Sequence, residues 1–133
     1  MRIAIGTRKG LWTAKGMPGD WTVSQPLKQM AEFASVAWLP MGAGRPPRLI
    51  VGARSWFWGP SVLTSDDEGA TWSEPEAGAV TFPTDLGAAV ERIWNLTPDP
   101  REPGRVWAGG EPHSLWKSVE GGTTFTLNQA LWD

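Results

Sequence analysis

Three pairs of large apolar residues stand nine positions apart in this chain: Trp12 with Trp21, Leu63 with Trp72, and Trp116 with Phe125. One such pair is common, but three at one spacing point to a repeated unit in which a short element returns on itself the same way each time. Between Leu63 and Trp72 the cause of the return is legible. Gly69 lets the backbone take a positive φ in a tight turn, while Asp67 and Ser65 offer short acceptor side chains to nearby backbone N–H groups. Thr71 then restarts an extended segment, and Trp72 anchors it by burying a large ring. The product is a hairpin with a stiff tip. The adjacent acids Asp66, Asp67 and Glu68 suggest a calcium loop, but such a loop needs a ligand at its fifth position, and counting from Asp66 that residue is Ala70. No metal site is expected.

Short apolar runs punctuated by sixteen Gly and twelve Pro argue for strands and turns, with little helix. Strands are expected at 2–6, 10–14 and 21–24, then at 35–39, 48–53, 60–65 and 71–73, with a loop over 25–33 between the two sets. A long loop over 74–89 precedes a third set at 91–97, 105–109 and 114–118, closed by one more strand after the turn that follows. The chain is then a single partial domain of three units, about 1–33, 34–90 and 91–133. Residues 39–52 align with 96–109, since Leu39 to Gly52 and Leu96 to Gly109 are both thirteen apart. Ser118, Glu120, Gly122, Thr124 and Phe125 form a second copy of the turn, with Glu in place of Asp and Phe in place of Trp. In residues 14–21 only the anchor survives. Four short strands repeating every 51 to 57 residues or so are the pattern of a β-propeller blade, which cannot bury its faces alone and stacks on its neighbours.

The S-x-D-x-G-x-T-W pattern of Ser65, Asp67, Gly69, Thr71 and Trp72 resembles the Asp box of bacterial-neuraminidase-type (BNR) repeats. Gly6-Thr7-Arg8-Lys9-Gly10-Leu11-Trp12, Trp58-Gly59-Pro60, Glu91-Arg92-Ile93-Trp94 and Leu131-Trp132-Asp133 extend the likeness over essentially the whole chain. It resembles the N-terminal part of bacterial BNR-repeat propellers described as sialidase-like or glycosyl-hydrolase-like. The resemblance implies an all-β propeller of four-stranded antiparallel blades, and glycoside hydrolysis as one activity. True sialidases use a Tyr nucleophile, an Arg cluster and an Asp acid/base. This chain contains no Tyr, so the resemblance does not carry sialidase activity onto these residues alone. Propellers with Asp boxes also serve unrelated tasks, assembly factors among them.

Strand counting sets a further expectation. The first unit has three strands and lacks the innermost one, whereas propellers close with four to eight complete blades. About three blades leave two faces open, which calls either for the remainder of a longer propeller or for head-to-tail self-association; a dimer gives six blades. Residues 128–133 are then expected to supply the partner's missing strand.

In such a blade the boxes occupy one rim and the remaining loops the other, where propeller enzymes carry their sites. That second rim gathers Arg8 and Lys9, Arg54 with Trp56-Phe57-Trp58, and Glu111-Pro112-His113, together with Lys28, Glu32, Asp85, Glu91 and Arg92. Arg8, Arg54, Trp56, Trp58 and Glu111 are the ligand-binding candidates: cations for a carboxylate or phosphate, and an aromatic platform for a sugar ring. Glu91 and Glu111 are candidates for the carboxylate pair of a glycosidase, and His113, the only histidine, is the one residue that a Ser-His-Asp triad could use. The expected function is a self-associating or partner-binding propeller module with a carbohydrate or small-molecule site on this rim, the alternative being a glycoside hydrolase or a fragment of one.

Charge and composition narrow the rest. A net charge of −2 leaves no electrostatic footprint for nucleic acid and no basic stretch for anionic lipid. The absence of Cys removes disulfides, thiol nucleophiles and Cys-based zinc sites. No cofactor motif is present, and with no apolar run of membrane-spanning length and no signal-like segment the expected location is the cytoplasm.

Overall fold

The computed structural model describes residues 1–27, 31–55, 59–74 and 79–133. Three antiparallel sheets follow one another along the chain. The first contains β1 (Arg2–Thr7), β2 (Gly10–Met17) and β3 (Asp20–Val23) in that order. The second contains β4 (Ala31–Leu39), β5 (Arg48–Ser55) and β6 (Ser61–Ser65), also in chain order. The third contains β7 (Arg92–Pro98), β8 (Val106–Glu111), β9 (Ser114–Ser118) and β10 (Thr126–Leu127), again paired in sequence. Neighbouring strands within each sheet are consecutive in the chain and antiparallel.

Four details differ from the sequence reading. First, the fourth strand expected at 71–73 is reduced to one bridge, Thr64 with Ser73, closed by two backbone hydrogen bonds of 2.8 and 3.1 Å. Trp72 spends its register on the turn instead of on a longer ladder. Second, β4 begins at Ala31, inside the stretch expected as loop. A bulge at Ala34 breaks the two-residue alternation there, turning Phe33 and Ser35 toward different neighbours. Third, Val36 pairs with Val51 and Leu96 with Ala108, so the counterpart of Leu96 is Val36 and not Leu39. Gly52 and Gly109 do correspond, facing Ser35 and Asn95. Fourth, the segment expected to extend as a strand is helical. It forms α1 (Gln129–Trp132), with the Asn128 side chain accepting from the Leu131 N–H as an N-cap.

The sheets stack in chain order, held by two apolar layers. Between the first and second lie Leu11, Phe33, Leu49, Val51 and Leu63, with Trp72 packed against them. Between the second and third lie Leu39, Ile50, Val62, Ile93, Val106 and Trp116. Strand β5 feeds both layers from alternate residues, and its run Leu49 to Ala53 is buried throughout. Residues after 78 fold down on the third sheet: Ala79, Val80 and Phe82 are buried in the second layer, and the Phe82 ring meets Trp116 edge-on at 4.8 Å. Trp132 of α1 lies 4.7 Å from the same Phe82 ring, which ties the helix to the sheet.

The closest backbone approaches run along β1, β4 and β7. A Cβ added to Gly6 would come within 2.7 Å of the Phe33 carbonyl oxygen, and one added to Gly52 would come within 2.3 Å of Ser35 Oγ and 3.1 Å of Ile93. Bare backbone at these two positions is what lets neighbouring sheets touch. The buried Ser35 hydroxyl completes the junction by donating to the Ile93 carbonyl at 3.0 Å. Among the described residues, no helix is long and apolar enough to cross a membrane.

Candidate functional site

The strands deliver chemically distinct residues to their two ends. At one end stand the box turns. In residues 65–72 the Ser65 hydroxyl accepts from the Gly69 N–H at 2.8 Å and donates to Asp67 at 2.8 Å. Asp67 accepts from the Thr71 N–H at 2.8 Å and from the Thr71 hydroxyl. Gly69, at φ 96°, makes the reversal, and its carbonyl accepts from the Trp72 indole N–H at 2.9 Å. Hydrogen bonds from the Thr71 hydroxyl, the Thr71 N–H and the Ser65 hydroxyl hold the Asp67 carboxyl down at about 2. These acids serve the turn, and no group of three or more His, Cys, Asp or Glu able to hold a metal ion occurs among the described residues.

Arg48 links this turn to the next one. Its guanidinium takes Asp66 in a two-point contact at 2.8 and 2.9 Å and donates to the Gly121 carbonyl at 3.1 Å. The Arg48 contact lowers the Asp66 carboxyl below its ordinary value. Arg2 and Arg105 occupy the equivalent register, since Ile3, Leu49 and Val106 pair with Ala14, Ser65 and Ser118. Arg2 reaches Glu68 of the second sheet's turn at 2.9 Å, and Arg105 contacts Asp99 at 3.5 Å. The sequence reading did not single out this row, although its signal was present: an arginine immediately before the apolar run of β1, β5 and β8.

At the other end the structure collects charges around an exposed indole. Glu32 pairs across the ladder with Arg54 on β4 and β5, and Arg92 pairs with Glu111 on β7 and β8. The two pairs sit at equivalent positions with their signs exchanged. Where the sheets meet, Arg92 Nε lies 2.9 Å from the Glu32 carboxylate. Its N–H is not aimed at that oxygen, so the contact is charge attraction and not an aligned hydrogen bond. Trp94, the bulged residue of β7, stands beside this row. The Arg92 guanidinium covers one side of its ring at 4.6 Å, and its indole N–H donates to Glu111 Oε2 at 2.9 Å. With 53% of its surface exposed, the ring is fixed in direction yet open to a visitor.

The expected site residues divide accordingly. Arg54 and Glu111 fall within this rim, with Glu32 and Arg92. Arg8 is exposed on the β1–β2 turn, where the Lys9 N–H donates to Thr7 Oγ1. Glu91 is exposed just before β7, and its backbone N–H donates to the Glu111 carbonyl at 2.7 Å. His113 follows the cis Glu111–Pro112 bond and stacks on Trp132 at 5.6 Å and 21°, a contact that belongs to the packing of α1. Asp85 lies in a 3-10 turn, Thr84–Leu86. Lys28, Trp56, Phe57 and Trp58 lie outside the described residues. On this rim Trp94 presents an exposed aromatic ring, a residue that the sequence reading quoted without giving it a role.

Compared with described protein families and with curated proteins, the chain gives no match in either.

Proposed function

We propose that the three sheets are consecutive blades of a BNR-type β-propeller, and that the chain works as a binding module offering the Glu32–Arg54–Arg92–Trp94–Glu111 rim to a carbohydrate. Support for the propeller comes from sheets that stack in chain order at one register, with both box turns at the same end of their strands. The binding role rests on one observation: an exposed indole held by Arg92 on one side and Glu111 at its N–H, within a row of alternating charges. A pyranose has an apolar face for such a ring and hydroxyls for the flanking carboxylates and guanidinium groups.

A binding role also suits the condition of the two carboxylates nearest the ring. Glu111 accepts from the Trp94 indole and Glu32 faces Arg92, so both carboxylates hold the surroundings of the ring in place. Titration with methyl glycosides of glucose, galactose, N-acetylglucosamine and N-acetylneuraminic acid, followed at the Trp94 indole N–H by NMR, tests the proposal. A shift of that resonance with at least one sugar, and loss of saturation transfer from the protein to that sugar in Trp94→Ala, is expected. Saturation-transfer signals that survive Trp94→Ala unchanged, or no response to any of the four, would remove it. Turnover of a fluorogenic glycoside abolished by Glu111→Gln would instead favour a hydrolase.

A further inference from the structure

The three sheets place large apolar side chains at the same positions of one face, and two sheets bury them while the first does not. Leu49, Val51 and Leu63 of the second sheet are 0%, 0% and 2% exposed, and Val106, Ala108 and Trp116 of the third are 0%, 0% and 1%. Ladder register makes Ile3, Ile5 and Trp12 their counterparts in the first sheet, because Ile5 pairs with Trp12 as Val51 does with Leu63 and Ala108 with Trp116. Yet Ile3 and Ile5 are each 40% exposed, and Val23, on the same face, is 55% exposed. A contiguous apolar face of this kind marks an interaction surface.

The opposite end of the stack carries the other half of the same junction. Ala4 and Leu11 of the first sheet, and Ile50 and Val62 of the second, face the sheet that follows. Their counterparts in the third sheet are Trp107 and Leu115, both only half-buried, with Lys117 lying 5.7 Å over the Trp107 ring. Gly109 stands where Gly6 and Gly52 stand. A Cβ at either of those would strike the next sheet, whereas one at Gly109 would meet only Asn95 of its own sheet, at 3.6 Å. Arg105 likewise holds the position from which Arg2 and Arg48 cross to the following turn.

We propose that a second copy of this chain docks there: the Ile3/Ile5/Trp12/Val23 face of one copy seats on the Trp107/Leu115/Gly109 face of the other, and the reverse contact closes the pair. The inference rests on the reading of the three sheets as equivalent repeats, not on the carbohydrate rim. The two faces are unlike, so the contact is heterologous, and it continues junctions that the chain already makes twice within itself. Two copies bring six sheets together, within the four to eight of closed propellers. Lys117 swings off Trp107 as the faces meet.

Sedimentation equilibrium on the full chain is expected to return twice the 14.5 kDa chain mass. Ile5→Asp, at an exposed site, and Trp107→Glu, at a half-buried one, each weaken the dimer roughly tenfold or more while leaving the far-UV spectrum unchanged. Mixing the two variants rebuilds one unaltered junction, Ile5 of the Trp107→Glu chain against Trp107 of the Ile5→Asp chain, and restores a mixed dimer. A monomeric wild-type chain at micromolar concentration overturns the proposal. So does failure of the variants to complement, which would mean a like-with-like contact. Sugar binding at Trp94 by a monomer would leave the rim reading standing and this one refuted.

Discussion

The turns at 65–72 and 118–125 share a frame and differ in how it is reinforced. In each, a buried serine accepts from the N–H four residues on, Gly69 at 2.8 Å and Gly122 at 3.0 Å. In each, the residue before that glycine is left-handed, Glu68 at φ 60° and Gly121 at φ 73°. The acid then separates them. Asp67 reaches both the N–H and the hydroxyl of Thr71, but Glu120, one methylene longer, meets only the Thr124 hydroxyl, at 3.3 Å. Trp72 closes its turn through the indole N–H, which Phe125 lacks; the Phe125 backbone N–H goes instead to the Ala79 carbonyl at 3.1 Å. Packing runs the other way. A Cβ on Gly69 would press the half-buried Leu27, and one on Gly122 would press Ile50, which is fully buried. The serine and the left-handed pair make the turn, the acid is an added tie, and burial stands in for it where it is weak.

The largest test of that comparison is Gly122→Ala. Left-handed strain and a collision with Ile50 Cδ1, 2.3 Å from the added carbon, should together destabilise the chain by about 3 kcal/mol in urea unfolding. Gly69→Ala meets the end of a less confined Leu27 and should lose about 2 kcal/mol. Equal losses would break the claim that the second turn leans harder on packing. Arg48→Met comes next. It removes the link between the turns and leaves the buried Gly121 carbonyl without that donor, for a loss of about 1–2 kcal/mol. A loss below the error of the measurement would make the link ornamental.

Glu120→Asp sharpens the comparison from the other side. A shorter carboxylate is placed to reach the Thr124 N–H as Asp67 reaches that of Thr71, and a gain of about 0.5 kcal/mol in thermal unfolding is expected. The smallest effect is in acid. Asp67 has its folded value depressed from 3.8 to about 2, so the unfolded chain binds its proton first as pH falls. Its contribution is complete above the unfolded value and is lost on going down toward pH ~2. Asp67→Asn should flatten the decline of the urea midpoint over that window. Asp66 and Asp99, also lowered, keep part of the slope, so its complete disappearance would contradict the assignment.

What was legible in the sequence was local. Ser65, Asp67 and Gly69 bond within four residues of one another, so their roles follow from residue type and spacing. The hairpin order of β1 to β3 and β7 to β10 was legible for the same reason. The Glu32–Arg92 contact joins residues sixty apart, and nothing along the chain announces it until the ladders are aligned. The start of β4 was hidden by the bulge at Ala34, which exchanges inward and outward positions in mid-strand. The terminal helix had a readable sign, an Asn ahead of Gln-Ala-Leu, that the strand-completion argument overrode.

The row of Gly6 and Gly52 has a geometric consequence. Along β1, β4 and β7 the sheets are separated by little more than backbone, while toward β6 and β9 the gap is filled by Trp72, Trp116 and Phe125. Each sheet with its filling is therefore a wedge, thin at the glycine edge and thick at the aromatic edge. The two edges of a junction thus tolerate change in opposite senses: nothing can be added at Gly6 or Gly52 without a collision, and nothing removed at Trp72 or Trp116 without a void.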